Sequence, residues 1–244
     1  MEKSEFIDQL YRSFEEHECA ELLQGNGADT LYELSAELMR ANAYMNLTAI
    51  RSEHEIIIKH LLDSALIIPY IPLNATLLDV GAGAGFPSLV LAALRDDLQI
   101  TALDSTKKKM DYVRNTASLL GLSQVTVAVG RAEELAHLPQ FREQYDVVTA
   151  RAVAALNILS ELCLPFCKNK GIFLAMKGPG GREEAQEAER GIAILGARTE
   201  SVVSRILRDD ATELGARTVI QIKKIKSTPA IYPRRYQKIA ASPL

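Results

Sequence analysis

The chain has 244 residues, 48% of them hydrophobic and 24% charged, with a formal net charge of −3. That length can bury one full α/β core with a small appendage, and the mild acidity argues against a protein that coats nucleic acid uniformly. No apolar run approaches the roughly 18 residues of a membrane span, residues 1–10 lack the basic head and apolar block of a secretory leader, and Cys19, Cys163 and Cys167 show no disulfide spacing, so the expected setting is reducing and cytoplasmic.

The charge is unevenly distributed. Acids dominate from Met1 to Glu37, whereas after Glu213 only bases follow, from Arg217 through Lys223, Lys224, Lys226, Arg234, Arg235 and Lys238. This asymmetry fits a localised anionic partner or a solvated basic tail, and composition alone leaves both open.

Residues 1–70 read as a helical cap. Phe6, Leu10 and Phe14 recur at helical spacing, as do Leu31, Leu34 and Leu38, with a turn signal at 24–29 (QGNGAD) between them. Ser52 and Glu55 fit a capping box in which each side chain satisfies the other's backbone donor, opening a helix that runs to Pro69. Residues 69–76 read as a linker.

From Thr76 strands and helices alternate. Strands are expected at 76–80, 98–103, 124–129, 145–149 and 171–176, the pattern of a parallel sheet covered on both faces. Two further strands at 201–207 and 217–225, joined by RDDATELGA, predict an antiparallel hairpin at the end of the sheet. The expected fold is thus an α/β, Rossmann-like, mostly parallel sheet over 71–226, with a basic tail at 227–244.

Ligands in such sheets bind at the carboxyl ends of the strands. Those ends carry, in order, Gly81-Ala-Gly83-Ala-Gly85-Phe86-Pro87, then Asp104-Ser105-Thr106, then Arg131-Ala132-Glu133, then Arg151, then Lys177. Asp104 follows Gly85 by 104 − 85 = 19 residues, a separation suited to a carboxylate on a ribose, which nicotinamide dinucleotides and S-adenosylmethionine share. The glycine pattern is G-x-G-x-G, with Phe86 where a dinucleotide fingerprint has its third glycine. No further domain presents a second substrate, so the dehydrogenase reading is the weaker one.

The segments NLTAI (46–50), KHLLDS (59–64), DVGAGAGFP (79–87), RAEE (131–134), YDVVTARAVA (145–154) and KG (177–178) occur in the order found in the small-subunit ribosomal RNA guanine-N7 methyltransferases, the glucose-inhibited division protein B family, which the chain resembles over roughly 46–178. The resemblance implies a class I methyltransferase fold, S-adenosylmethionine as cofactor, and small-subunit (16S) ribosomal RNA or a ribosomal particle as partner. It also implies that Gly81, Gly83 and Phe86 line the cofactor pocket, that Asp104, Ser105 and Thr106 take the ribose side, that Ala132 and Glu133 flank the adenine, and that Arg151 lies near the methyl donor. The tail keeps Tyr232-Pro233-Arg234 and the terminal Pro243-Leu244 but lacks the glycine-proline turn found between them in many members.

The implied chemistry needs no general base, because guanine N7 has a free lone pair and no proton to lose; alignment can carry the displacement. The fourth strand accordingly leads into Thr149-Ala-Arg151-Ala, without an acid, a histidine or a cysteine. Arg151 and Asn46 are the expected catalytic residues, with Asn46 and Lys177 toward the RNA. For Arg151 the structural alternative is an ion pair to Asp79 or Asp146, and for Lys177 plain solvent exposure. His60 and Asp63 share a helix face and read as a buttress. Lys107-Lys108-Lys109 reads as a contact to RNA phosphates near the site or, more commonly for such a run, a solvated helix face, and Cys163 and Cys167 read as packing residues. No metal site is expected, and a monomer is favoured. A non-catalytic RNA-binding assembly factor on the same scaffold is the alternative of a different class; a small-molecule methyltransferase is a third.

Overall fold

In the computed structural model, which describes residues 1–209 and 212–244, seven strands form one sheet. They are β1 (Thr76–Val80), β2 (Gln99–Asp104), β3 (Val125–Val129), β4 (Tyr145–Arg151), β5 (Cys167–Lys177), β6 (Ala197–Asp209) and β7 (Thr212–Lys224), in the order β3-β2-β1-β4-β5-β7-β6. β1 to β5 pair in parallel, while β7 runs antiparallel to both β5 and β6. The terminal hairpin expected from the sequence is present and longer than predicted; residues 210 and 211 of its joining segment lie outside the described residues.

The parallel strands are apolar in near-continuous runs because both faces are covered. Leu77, Val147 and Leu174 point into one core, and their neighbours Leu78, Val148 and Phe173 into the other. The first core is closed by α1 (Lys3–Glu16), α2 (Gly27–Met45), α3 (Glu53–Ile56), α4 (Asp63–Ala65), α5 (Ser88–Leu94) and α6 (Lys107–Leu119). Phe6, Phe14 and Leu38 of the front helices therefore share one apolar cluster with Leu77 and Ile100 of the sheet. The second is closed by α7 (Ala132–Leu135), α8 (Leu156–Cys163), α9 (Gly181–Ile194) and Ile239 of α10 (Tyr236–Ala241).

Two local readings need correction. α2 begins inside the expected turn, at Gly27, where a Cβ would stand 3.1 Å from Leu94. The helix from Glu53 contains a π-helical stretch at Ile57–Leu62. Its cap is one-sided: Ser52 Oγ accepts from the Glu55 N–H at 3.2 Å, but the Glu55 carboxylate accepts from the Ser52 hydroxyl and pairs with Lys59.

The basic tail is docked on the second face. Glu161 of α8 is fully buried and accepts from the Arg234 backbone N–H (2.7 Å), its Nε (2.9 Å) and its Nη2 (2.6 Å). Removing one member of a buried pair leaves an uncompensated charge at a cost of about 3–5 kcal/mol. Arg234→Met should lower the unfolding free energy by about that amount in urea titration, and Glu161→Leu in the same chain should restore most of it. A change under about 1 kcal/mol would show that the tail contributes nothing through this pair.

Candidate active site

From β1 the chain steps outward through β2 to β3 and then crosses back to place β4 on the other side of β1, so the carboxyl ends of β1 and β4 flank the switch in strand order. The loop after β1 starts at Gly81, with φ +75°, because its N–H and that of Ala82 both donate to the Leu103 carbonyl. A Cβ at Gly81 would stand 2.6 Å from Val153 Cγ2, so the glycine also lets the loops after β1 and β4 touch.

The five strand ends form two clefts, not one. The first, of about 200 Å³, is lined by Gly81, Asp104, Ser105, Ala132 and Glu133, over an apolar floor that includes Val80, Leu103 and Leu162. The second, of about 410 Å³, is lined by His60, Asp63, Arg151, Met176, Lys177 and Arg217. The segment Arg151-Ala152-Val153 stands between them, and Ala152 adopts φ +55°, a strained value for alanine at the junction of a site.

In the first cleft Asp104 is oriented by the backbone. Its Oδ2 accepts from the Gly83 N–H at 3.1 Å, and its Oδ1 from the Thr106 N–H at 2.8 Å. Each oxygen keeps acceptor capacity for a further donor. Gly83 and Thr106 thus hold the acid in place without lining the cleft. An apolar floor beneath two carboxylates suits a nucleoside, whose flat base is apolar on its faces and whose ribose offers a pair of donors. The residues present therefore fit the adenosine-bearing donor that the sequence resemblance implies.

At the second cleft Arg151 is clamped. Its Nη1 donates to the Lys59 carbonyl (3.0 Å) and to Asp63 Oδ2 (2.9 Å), and its Nη2 to His60 Nδ1 (3.2 Å). The expected alternatives Asp79 and Asp146 are not its partners; the acid comes from the helical front. Asp63 is shared with Arg217, whose Nε lies 3.1 Å from Oδ1. Burial, followed by the charge of Arg151, pushes the His60 imidazole down to about 4. The neutral ring accepts at Nδ1, so Nε2 carries the proton and donates to Thr48 Oγ1 at 3.0 Å. The same ring stacks on Phe86, 4.5 Å between centroids, while the Arg151 guanidinium lies 5.7 Å from the Phe86 centroid. Phe86 is thus a buried support under the clamp rather than part of either cleft wall.

Lys177 is neither solvent-exposed nor a free cation: its Nζ donates to the Ala154 carbonyl at 2.6 Å and pairs with Glu184 at 2.6 Å. Asn46 ends α2 in the left-handed conformation and is exposed; it lies two residues before Thr48, the hydroxyl that touches His60. Lys107 pairs with Asp111 on an exposed helix face, and the buried thiols of Cys163 and Cys167 are pushed up by desolvation, so both read as packing residues. Sequence reasoning missed Arg217 and Thr48. The second lies inside NLTAI and was within reach; Arg217 stands in an ordinary strand with no motif around it.

Among the described residues no group of three or more His, Cys, Asp or Glu side chains gathers to hold a metal ion, and no helix is long and apolar enough to cross a membrane.

A family model described as rRNA small subunit methyltransferase G matches residues 28–211. Curated relatives named Ribosomal RNA small subunit methyltransferase G include proteins of Deinococcus radiodurans, 46% identical over 83% of this chain and 79% of that one, and of Staphylococcus carnosus, 44% identical over 88% of each. Among solved structures, a SAM-dependent methyltransferase from Aquifex aeolicus superposes with a TM-score of 0.52 at 17% identity, over 68% of this chain and 92% of that one. An M. jannaschii protein in complex with AdoMet gives 0.52 at 14%, over 67% and 74%. At such identities these two neighbours speak for the fold alone.

Asp79, just before the glycine loop, supplies a pH test. Its Oδ2 accepts from the Ser88 N–H and hydroxyl, its Oδ1 meets no donor among the described residues, and burial pushes the carboxyl up to about 6. A folded-state value above the ordinary aspartate value of about 4 means that its stabilising contribution is fully present below about pH 4 and is lost as the pH rises through about 6. The stability of Asp79→Asn relative to the natural protein should therefore rise by about 1–2 kcal/mol between about pH 5 and pH 8 in urea titrations. A difference that does not vary with pH would mean that Asp79 does not titrate in this range.

Proposed function

The chain belongs to the rRNA small subunit methyltransferase G family, and from that premise we propose that it methylates N7 of a guanine in small-subunit ribosomal RNA, with S-adenosylmethionine as cofactor. The observation that carries this reading is the clamped Arg151 standing between a nucleoside-sized cleft and a second cleft open to a larger ligand. Asp104, Ser105, Ala132, Glu133 and the Gly81 backbone hold the cofactor in the first cleft, with Gly83 and Thr106 orienting Asp104. When bound, S-adenosylmethionine supplies an electrophilic methyl group.

The chain's own residues supply position. Arg151 donates to three acceptors on the helical front, Lys59 and His60 of the π-helical stretch and Asp63 of α4, and is fixed in direction, so Ala152 and Val153 are fixed between the two clefts. His60 is uncharged at neutral pH and already donates its one proton to Thr48, so it serves as a rigid spacer rather than a base. Asp63 sits between two guanidinium groups, so each of its carboxyl oxygens is already engaged by an arginine. Lys177 fixes the loop at Ala154, and Arg217 extends the cationic wall toward the RNA. Asn46 is positioned on the approach, where its amide can read a base edge with both donor and acceptor. The reading carries a monomer acting in the cytoplasm.

Two measurements test it. RNA from a strain lacking the protein should lose one N7-methylguanine in the small-subunit RNA, and purified protein should restore it; RNA binding without any methylation would favour an assembly factor. With the natural protein, single-turnover rates should stay level between about pH 7 and pH 9, since the His60 imidazole that contacts Arg151 is neutral throughout that range. Arg151→Ala should remain folded and lose roughly 100-fold in that rate, and Arg151→Lys should not rescue it, because an ammonium cannot match the fork that reaches three acceptors.

A further inference from the structure

The first cleft has one wall that comes from the far end of the chain. Tyr236, the first residue of α10, lines it together with Gly81, Asp104, Ala132, Glu133 and Val153. A glycine loop at the switch point does not by itself call for a C-terminal aromatic residue there.

Three separate anchors fix the segment that carries this tyrosine. Arg234 is held by the buried Glu161. His137 Nε2 donates to the Pro233 carbonyl at 2.8 Å, and Arg142 donates to the carbonyls of Tyr232 (3.0 Å) and Thr228 (2.8 Å). His137 and Arg142 lie in the loop between α7, the helix that opens with Ala132 and Glu133, and β4. The tail is therefore registered against the segment that flanks the cleft, which places the backbone that carries the ring. Tyr236 is 41% exposed, leaving aromatic surface uncovered beside an apolar floor of Val80, Leu103 and Leu162. An exposed ring at the mouth of a narrow cleft is the feature that gains most from covering a planar base.

We propose that Tyr236 is a cofactor-binding residue: the C-terminal segment closes the adenine side of the methyl-donor cleft, so the basic tail is a component of the donor site rather than an arm for RNA. This rests on the reading of the first cleft as the S-adenosylmethionine site.

The test is calorimetry on the full chain with two ligands, S-adenosylhomocysteine and 5′-methylthioadenosine, which share the nucleoside and differ in the amino-acid end. Tyr236→Ala should weaken both by about tenfold, the scale of one lost base–aromatic contact, and Tyr236→Phe should bind both as the natural protein does. A folded Tyr236→Ala that binds both ligands with unchanged affinity overturns the proposal, and so does a variant that loses affinity only for RNA. If Tyr236→Ala fails to fold, Tyr236→Leu, which keeps apolar bulk without a ring, must show the loss of binding for the proposal to stand. Failure of the natural protein to bind either ligand would remove the reading of the cleft itself, a result distinct from an intact affinity in Tyr236→Ala.

Discussion

The guanidinium of Arg151 joins three parts of the molecule that are far apart in the chain. It leaves the end of β4, donates to Lys59, His60 and Asp63 of the helical front, and lies near the Phe86 ring of the glycine loop. Two of its acceptors, the Lys59 carbonyl and the His60 ring, belong to the π-helical stretch Ile57–Leu62. With that carbonyl, one carboxylate oxygen and one imidazole nitrogen all taken by a single planar cation, neither the front helices nor the loop after β4 can move without the other.

Charge within this cluster is largely paired. Asp63 is nearly buried between Arg151 and Arg217, a two-to-one arrangement that leaves the second cleft with a cationic wall suited to a polyanion. His60, desolvated and beside that positive charge, stays neutral and contributes shape and one hydrogen bond. The same economy applies at Lys177, whose charge is compensated by Glu184, so its contribution is to hold the loop at Ala154.

On the opposite face of the sheet a second buried pair, Glu161 with Arg234, does for the tail what Arg151 does for the front. The bases near the C-terminus are thus not uniformly available to an anionic partner. Arg234 is committed to Glu161, and Lys224 is buried, donating to the Leu164 carbonyl and to Thr228. The sequence asymmetry in charge reflects in part these internal anchors, and the cleft beside α10 shows what they position.

Periodicity and glycine placement determined much of the protein in advance. The strands at 76–80 and 145–149, the terminal hairpin, and the gathering of Gly81, Asp104, Ala132, Glu133 and Arg151 on one rim all follow from local pattern, because strand ends in a parallel sheet are brought together by the architecture whatever the rest of the chain does. What the rim's residues bind to was not legible in this way. Asp63 lies 88 residues from Arg151 and Glu161 lies 73 from Arg234; the helix face that pairs Asp63 with His60 does not name Arg151 as its partner, and nothing local distinguishes Glu161 from the other acids in the chain. Arg217 and Tyr236 reach their clefts only because the hairpin and the tail fold back across the sheet. Local sequence sets backbone geometry through sterics and hydrogen bonding between near neighbours, whereas ion pairing and cleft walls depend on which distant segments share a surface, and only the tertiary structure decides that.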